Sequence, residues 1–388
     1  MDLNKVLNHT VKNIPPSGIR RFFDLASEME NVISLGVGEP DFDTPWHIRE
    51  AGIHSIEQGK NFYTPNRGLL SLRKEICNYQ KRRFGLEYNP NNEVIVTVGG
   101  SEAIDICLRT ILEQQDEVIM MSPGYVAYEP CVKLAGGVPV LVELKQEHNF
   151  KLTAEALEKA ISPKTKAILL NFPSNPTGGV MTKEDYKKII PIIKKHELIV
   201  ISDEIYAELS YDVEFCSPAQ FPEIKDQCII ISGFSKAYAM TGWRLGYILS
   251  HEILSSAMLK IHQYMIMSAP TAAQYAAIEA MRHGDTDVEV MRESYKMRRN
   301  YIVNGFNQLG LETFMPQGAF YIFPCIKSTG MNSEEFCEAL LNSQRVACVP
   351  GSAFGEAGDG YIRVSYAYSI EQIKEALSRI SAFLKTLD

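Results

Sequence analysis

The sequence predicts an α/β protein in which a mostly parallel sheet, sandwiched by helices, is joined to a smaller α+β domain. Short runs rich in β-branched residues alternate with helical segments between about residues 44 and 282, a pattern typical of parallel sheets covered on both faces. After a long helical segment at about 287–309, short strands and helices alternate in a different pattern. A chain of 388 residues is also long enough for two domains.

Composition and charge restrict the classes of function. The apolar fraction of 45% and the charged fraction of 22% are ordinary for a globular protein. A net charge of −8 argues against nucleic acid as the main partner. We expect a cytoplasmic protein with no membrane partner, because the N-terminus lacks a signal-peptide core and no run reaches transmembrane length. The eight cysteines have no metal-binding spacing, so we expect buried thiols and no metal site.

The elements of the first domain are predicted in chain order. The segment up to Pro15-Pro16 is expected to be an arm, followed by a helix at about 17–29, a short strand at 32–37 and a turn-rich stretch at 36–45. Further β-branched runs predict strands at 94–99, 117–121, 138–144, 166–172, 198–203, 228–234 and 246–250. Helices are predicted between them at 101–112, 126–135 and 183–196.

The second domain is predicted to be discontinuous. Strands near Glu312, Phe320, Val346 and Tyr361 alternate with helices that start near Ser333 and Ser369. The early strand near Ile33 is expected to join them. The predicted division is therefore 44–285 for the large domain, and 1–43 with 286–388 for the small domain and the N-terminal arm.

Glycine-rich and proline-rich loops follow two of the predicted strands, at the end where ligands bind in open α/β sheets. Gly100, Ser101 and Glu102 open a helix, whose free N–H groups suit a phosphate. The alternative is an ordinary helix start with Ser101 as its N-cap. Asn175 lies between two prolines in a rigid loop, where it is either a fixed hydrogen-bond donor or a turn residue.

Charged residues follow two further strands. Asp203 ends an apolar strand, where a carboxylate is costly unless a cation meets it; an N-cap role is the alternative. Lys236 follows another apolar strand, and a desolvated lysine has a lowered pKa and can form an imine. Arg244, eight residues further on, is a suitable fork for phosphate. Together these residues indicate a site at one edge of the sheet.

The segment around Lys236, S-G-F-S-K-A-Y-A-M-T-G-W-R-L-G-Y, resembles the cofactor-lysine signature of the class I/II aminotransferases, which have the type I pyridoxal-phosphate (PLP) fold. Other segments match in family order, between about residues 33 and 366: I-S-L-G-V-G-E-P-D-F-D-T-P, Y-T-P-N-R-G, N-P-T-G, S-D-E-I-Y, G-A-F-Y-I-F-P, V-P-G-S-A-F-G and Y-I-R-V-S-Y-A. Within the family, the chain looks most similar to the prokaryotic aspartate and aromatic aminotransferases.

The resemblance implies pyridoxal 5'-phosphate as the cofactor and a role for each matching residue. Lys236 would form the internal imine and then shuttle the substrate proton. Asp203 would pair with the pyridine nitrogen. Tyr206 and Asn175 would bond the phenolic oxygen of the cofactor, and Tyr125 would stack on its ring face. The phosphate would be held by Arg244, Ser101 and the backbone of Gly100 to Glu102.

The resemblance also implies a homodimer and a substrate clamp. Tyr63 would reach the phosphate of the neighbouring subunit. Arg363 would clamp the substrate carboxylate, which the backbone of Gly38 would also contact. Many relatives have a hydroxyl residue three positions before the lysine, where this chain has Gly233. Ser235 or Ser232 would replace that phosphate contact.

The resulting hypothesis is ping-pong transamination between an L-amino acid, aromatic or aspartate-like, and a 2-oxo acid such as 2-oxoglutarate. A carbon–sulfur β-lyase on the same scaffold is the main alternative. A DNA-binding regulator is disfavoured because no room remains before residue 33, and a Rossmann protein because G-G-S-E-A lacks the G-x-G-x-x-G spacing. Some relatives carry a lysine where Ser101 stands, and its absence argues against strict specificity for aspartate. Arg20 or Arg67 could meet a distal carboxylate instead.

Overall fold

The fold centres on a seven-stranded sheet in a computed structural model that describes residues 1–16, 18–19 and 29–387. The helix predicted at 17–29 therefore lies largely outside the described residues. The strands of the central sheet are β2 (Val94–Thr97), β3 (Glu117–Ser122), β4 (Val138–Glu143), β5 (Thr165–Asn171), β6 (Ile199–Asp203), β7 (Cys228–Gly233) and β8 (Gly246–Ser250). Their order across the sheet is β2-β8-β7-β6-β5-β3-β4. Each of these strands was predicted, with ends displaced by at most two residues.

Most of this sheet is parallel, as the β-branched runs predict. Strands β4, β3, β5, β6 and β7 run parallel to one another, whereas β8 is antiparallel to both of its neighbours, β7 and β2. The carboxyl ends of β5, β6 and β7 consequently meet at one edge. Because β7 and β8 form a hairpin, the loop between them begins at that same edge and returns to it.

Helices cover the sheet and continue into the C-terminal part. The described α-helices are α1 (His9–Asn13), α2 (Trp46–Glu57), α3 (Leu70–Phe84), α4 (Gly99–Ile111), α5 (Tyr128–Leu134), α6 (Ala154–Ala160), α7 (Lys183–Lys195), α8 (Glu252–Met265), α9 (Thr271–His283), α10 (Asp285–Gln308), α11 (Ser333–Gln344) and α12 (Ile370–Leu384). None of them is long and apolar enough to cross a membrane.

Two smaller sheets accompany the C-terminal helices. Strand β1 (Ile33–Ser34) pairs in parallel with β10 (Val346–Ala347), so the early strand lies where it was expected. Strand β12 (Ile362–Ser365) lies between β11 (Val349–Pro350) and β9 (Tyr321–Ile322). The strand predicted near Glu312 is wrong: its carbonyl accepts one backbone hydrogen bond, from Cys325 at 2.8 Å, which is too little to form a ladder.

Alternating side chains separate the cores on the two faces of the central sheet. In β5, Ile168 and Leu170 enter one core, while Ala167 and Leu169 enter the other. A third core packs around β9, β12 and helices α10 to α12. Fully burying one large apolar side chain contributes roughly 1.5–3 kcal/mol, so these layers hold the strand ends in place. The division at residues 44 and 285 remains a prediction.

Candidate active site

A cavity of about 670 Å³ lies at the carboxyl edge of the sheet. Eleven of the predicted site residues line it, whereas Tyr63, Arg67, Glu102 and Ser232 do not. The predicted residues in its walls are Gly38, Gly100, Ser101, Tyr125, Asn175, Asp203, Tyr206, Ser235, Lys236, Arg244 and Arg363. Residues from both ends of the chain therefore meet in one cleft, as the strand-end argument predicts.

Lys236 lies in the loop that follows β7, with its amine inside the cleft. Its Nζ donates a hydrogen bond to the carbonyl of Gly38 at 2.6 Å. Burial lowers the pKa of Lys236 from 10.5 to about 8; Arg363 and Arg244 lower it as well, while Glu39 and Asp203 act in the opposite direction. The site thus contains an amine that loses its proton more easily than an exposed lysine.

Asp203 is a buried carboxylate at the end of β6. Its Oδ2 accepts a hydrogen bond from the hydroxyl of Tyr128 at 2.8 Å, and its Oδ1 accepts one from the backbone N–H of Ile205 at 3.2 Å. Burial raises its pKa, against these hydrogen bonds and the charge of Lys236. Among the described residues, no cation forms an ion pair with Asp203, so a cationic group in the cleft would complete its surroundings.

Arg363 is 2% exposed and is fixed by the walls of the cleft. Its Nη1 donates to Oδ1 of Asn175 at 2.9 Å, and its Nη2 donates to the carbonyl of Gly36 at 2.6 Å. The guanidinium carbon lies 4.4 Å from the ring centre of Tyr321. Its Nε is buried and has no hydrogen-bond partner among the described residues. An unpaired donor on a rigid fork suits a carboxylate ligand.

Two tyrosines, Tyr206 and Tyr321, lie between these charged groups. Their hydroxyl oxygens are 2.8 Å apart. Burial raises the pKa of both phenols, so both remain protonated near neutral pH. At Gly38, any side chain would clash with the hydroxyl of Tyr321, which explains the glycine there.

Arg244 lies against the first turn of α4. An added Cβ at Gly99 would be 2.7 Å from Nη2 of Arg244, and Gly99 has a φ of +70°. The helix begins at Gly99, and its N-cap, Val98, makes no side-chain capping bond. Ser101 as N-cap is therefore wrong, and Gly100 and Ser101 line the cleft at a helix N-terminus. This arrangement offers N–H groups and a guanidinium to an anion.

Glu102 belongs to the same first turn, but its side chain points away from the cleft. Its Oε2 accepts a hydrogen bond from the backbone N–H of Val98, and its Oε1 lies 2.5 Å from Nδ1 of the buried His262. No local sequence pattern predicts this pairing, because the two residues are 160 positions apart. Any direct contact of Glu102 with a ligand in the cleft would involve its backbone.

The structure separates the two serines that are candidates for the missing hydroxyl contact. Ser235 lines the cleft, whereas Ser232 is not among the lining residues. At Gly233, an added Cβ would lie 3.0 Å from both the Cα of Gly246 and the carbonyl of Leu245. The hairpin of β7 and β8 therefore leaves little room for a side chain at position 233.

Tyr63 and Arg67, two of the predicted residues, lie outside the cleft. Tyr63 is 82% exposed and does not line it. Arg67 is engaged elsewhere, since its Nη1 donates to Oγ of Ser255 at 2.6 Å. Arg20 is outside the described residues. The part of the chain that the structure describes contains no cluster of metal-binding side chains.

Tyr128, Tyr321 and Glu39 are among the residues of the cleft wall that sequence reasoning missed. Tyr128 is the first residue of α5, three positions after Tyr125, and their rings pack edge to face at 5.3 Å. That spacing was the available signal, since residues three apart at the start of a helix share a face. Glu39 accepts a hydrogen bond from Oγ1 of Thr241 at 3.2 Å.

An amine of lowered pKa, a buried carboxylate and an arginine fork in one cleft define an enzyme suited to amino-group chemistry on carboxylate substrates. Comparison with known proteins agrees. The family described as aminotransferase class I and II matches residues 30–380. The chain belongs to this family and is an enzyme that transfers amino groups. Transamination is thereby favoured over the β-lyase alternative.

Similar proteins cover nearly the whole chain. A Bacillus subtilis protein called YugH, whose name places it among the aminotransferases, is 56% identical over 98% of this chain and 99% of its own. The aromatic-amino-acid aminotransferase 2 of Thermococcus litoralis is 43% identical, with 98% of both chains covered. The structure of the Thermus thermophilus aspartate aminotransferase with maleate has a TM-score of 0.93 and 37% identity, covering 97% of this chain and 99% of that one.

Proposed function

We propose that this enzyme uses PLP to transfer the amino group of an L-amino acid to a 2-oxo acid such as 2-oxoglutarate. The observation that best supports the proposal is the convergence of Lys236, Asp203 and Arg363 on one cleft. An aldehyde cofactor requires an amine for covalent attachment and a carboxylate that is free to pair with its ring nitrogen. An amino acid substrate requires a guanidinium with an unpaired N–H for its carboxylate.

The residues present fit PLP at three separate points. Asp203 lacks a cationic partner, which a protonated ring nitrogen would provide. Gly99 leaves space beside Arg244 at a helix N-terminus, which suits a phosphate. Tyr125 lies in the cleft wall, where it can stack on a planar ring. When bound, PLP supplies a ring that withdraws electrons from the substrate Cα.

Each residue has a defined task in this proposal. Lys236 binds the cofactor covalently and then moves a proton at the substrate Cα, for which its pKa of about 8 is well placed. Asp203 holds a proton on the ring nitrogen, and Tyr128 orients Asp203 through its hydroxyl. Tyr206 and Asn175 donate to the phenolic oxygen.

The phosphate and the substrate are held by separate groups. The phosphate is held by Arg244, Ser101, Ser235 and the backbone of Gly100 to Glu102. Ser235 replaces the hydroxyl residue that many relatives have at the position of Gly233. Arg363 binds the substrate carboxylate through its fork, and Asn175 keeps that fork in place. The backbone of Gly38 contacts the same carboxylate.

The walls of the cleft favour an aromatic amino donor, with aspartate-like donors second. The apolar or aromatic lining side chains not assigned to the cofactor above include those of Ile19, Val37, Ile104, Val126, Ile205 and Tyr321. Among the described lining residues, the only cations besides Lys236 are Arg244 and Arg363, both assigned above. A distal carboxylate would therefore lack a dedicated partner, whereas an aromatic ring would pack against the wall.

The active unit in this proposal is a homodimer in which Tyr63 reaches the phosphate of the neighbouring subunit. Tyr63 is 82% exposed, next to Phe62 at 80%. The exposed Tyr264 belongs to α8, and the segment after that helix contacts the Tyr63 loop through Asn66, whose Nδ2 donates to the carbonyl of Met267 at 2.8 Å. These exposed aromatic side chains suit a subunit interface.

A panel of amino donors with 2-oxoglutarate, measured as kcat/KM, tests the function. We expect turnover to require the 2-oxo acid, with aromatic donors leading. Release of pyruvate and ammonia without any 2-oxo acid would instead establish the β-lyase.

Lys236→Ala tests the mechanism, with Lys260→Ala, at an exposed lysine, as the matched control. We expect K236A to fold but to lose nearly all turnover. After treatment with PLP and borohydride, mass spectrometry should detect a labelled Lys236 in the wild type and in K260A, and no label at position 236 in K236A. Normal turnover by K236A would refute the proposal.

A further inference from the structure

His262 and Glu102 form a buried pair behind the first turn of α4. His262, on α8, is 0% exposed, and its Nδ1 lies 2.5 Å from Oε1 of Glu102. The carboxylate has no donor hydrogen, so the imidazole donates. The other carboxylate oxygen accepts from the backbone N–H of Val98, the N-cap residue of α4. Two donors thus hold Glu102 on the side of the turn that faces away from the cleft.

The imidazole of His262 makes no other polar contact within the described part of the chain, where its Nε2 is buried and unpaired. The neighbouring side chain of Met258, one turn earlier on α8, belongs to an apolar core. An apolar residue at this position would leave no ring nitrogen unsatisfied, but Oε1 of the buried Glu102 would lose its donor. The bond to Glu102 is therefore the contribution that only a hydrogen-bond donor at position 262 can make.

A carboxylate in the first turn of a helix competes with a bound anion. The free N–H groups at the N-terminus of α4 attract any nearby negative group, including a side-chain carboxylate of the same turn. Gly100 and Ser101, which present such N–H groups, line the cleft. If Glu102 turned towards them, it would occupy the donors that a phosphate needs and would add a repelling charge.

We infer that His262 is a positioning residue for anion binding, which fixes the Glu102 carboxylate against Val98 and so keeps the first turn of α4 free for the cofactor phosphate. This inference rests on the proposed function, because it takes the anion to be the phosphate of PLP. It assigns a role to a residue that lies outside the cleft and touches neither cofactor nor substrate.

Binding of PLP and of pyridoxal, which lacks the phosphate, to the apoprotein separates this role from a purely structural one. In His262→Leu, we expect the affinity for PLP to fall roughly tenfold, since one member of a coupled pair is lost, while pyridoxal binding stays within about twofold. His262→Asn, whose Nδ2 is two bonds from Cβ like the donating Nδ1 and can donate to Glu102, should restore PLP binding. Equal losses for PLP and pyridoxal, or no loss for either, would overturn the inference.

Two further variants complete the design. Met258→Ala disturbs the same helix without touching Glu102, so it should lower stability but leave the ratio of PLP to pyridoxal affinity unchanged. In a Glu102→Ala background there is no carboxylate for His262 to hold, so His262→Leu should not change the ratio of PLP to pyridoxal affinity. A tenfold loss of PLP affinity in that background would contradict the inference. His262→Met, which is apolar and has no donor for Glu102, repeats the test if H262L does not fold.

The wild-type protein keeps the two proposals apart. If it binds PLP no more tightly than pyridoxal, the proposed phosphate site itself fails. If it prefers PLP and H262L keeps that preference, the phosphate site stands and only the role of His262 is lost.

Discussion

The Nζ of Lys236 donates to the backbone carbonyl of Gly38 at 2.6 Å, across 198 positions of sequence. This contact joins the loop after β7 to the turn-rich stretch that follows β1. It gives the buried amine a neutral acceptor, and no carboxylate among the described residues forms an ion pair with it. The amine therefore loses its proton more readily than one held in an ion pair.

The reactivity of Lys236 in the apoprotein should reflect its lowered pKa. The neutral amine is the nucleophile, and burial favours that form, so we expect the rate of PLP attachment to rise with pH and to reach half its maximum at a pH of about 8, rather than 10.5. Stopped-flow absorbance measures this rate. The exposed Lys260 serves as the comparison in labelling experiments, and a midpoint near that of an ordinary lysine would contradict the burial argument.

Replacement of Arg363 by lysine should damage substrate binding and spare the cofactor. Lysine keeps the charge but loses the fork that contacts both Asn175 and Gly36. We expect kcat/KM to fall roughly a hundredfold, about 2.7 kcal/mol, for amino and 2-oxo acids alike, because both carry the clamped carboxylate. Steady-state kinetics measure this, with Arg379→Lys on α12 as the control. A loss confined to one substrate would argue against the shared clamp.

Gly99→Ala should weaken cofactor binding through Arg244. The new Cβ would be 2.7 Å from Nη2 of Arg244, and the backbone has a φ of +70°. Gly59→Ala is a close control, because Gly59 has a φ of +68° and open space around it. Both variants should lose about 1–2 kcal/mol of stability from the left-handed backbone. Only G99A should lose affinity for PLP, and equal affinities in the two variants would refute the steric argument.

His47 should make the stability of the helical junction dependent on pH. Its Nδ1 and Nε2 each lie 2.9 Å from a carboxylate, Glu279 on α9 and Asp287 on α10. Burial opposes protonation, but the hydrogen bonds with Asp287 and Glu279 outweigh it and raise the pKa of His47 above 6.5. Since the folded-state pKa is raised, the contribution is fully present below 6.5 and is lost as the pH rises through the raised value.

The measurement for His47 is the free energy of unfolding of the wild type and of His47→Gln over this pH range. We expect the wild type to be the more stable at about pH 6 and the difference to vanish at high pH. Ile53→Ala, at an exposed residue of the same helix that has no titrating group, should leave the pH dependence of the stability unchanged. A difference that does not change with pH would mean that His47 acts through packing alone.

The central sheet was predictable because its strands are apolar, β-branched and bounded by turn residues. The cleft was predictable because ligands bind where such strands end, and the polar residues there have no structural use in the core. The contacts of Tyr128 with Asp203 and of His262 with Glu102 were not predictable. Each depends on tertiary packing between residues far apart in sequence, which no local pattern encodes. The missing strand near Glu312 shows the same limit, since an extended segment needs a partner to become a strand.

The hairpin of β7 and β8 places Lys236 and Arg244 on one short loop anchored in the central sheet. The covalent bond and one phosphate contact of the proposed cofactor would therefore come from the same loop, whereas Arg363 lies on β12, in a different sheet. Natural variation or engineering can change the residues around Arg363 to admit a new substrate without changing the loop that carries Lys236 and Arg244. Such a division allows one scaffold to diversify into enzymes with many amino donors while its shared chemistry remains intact.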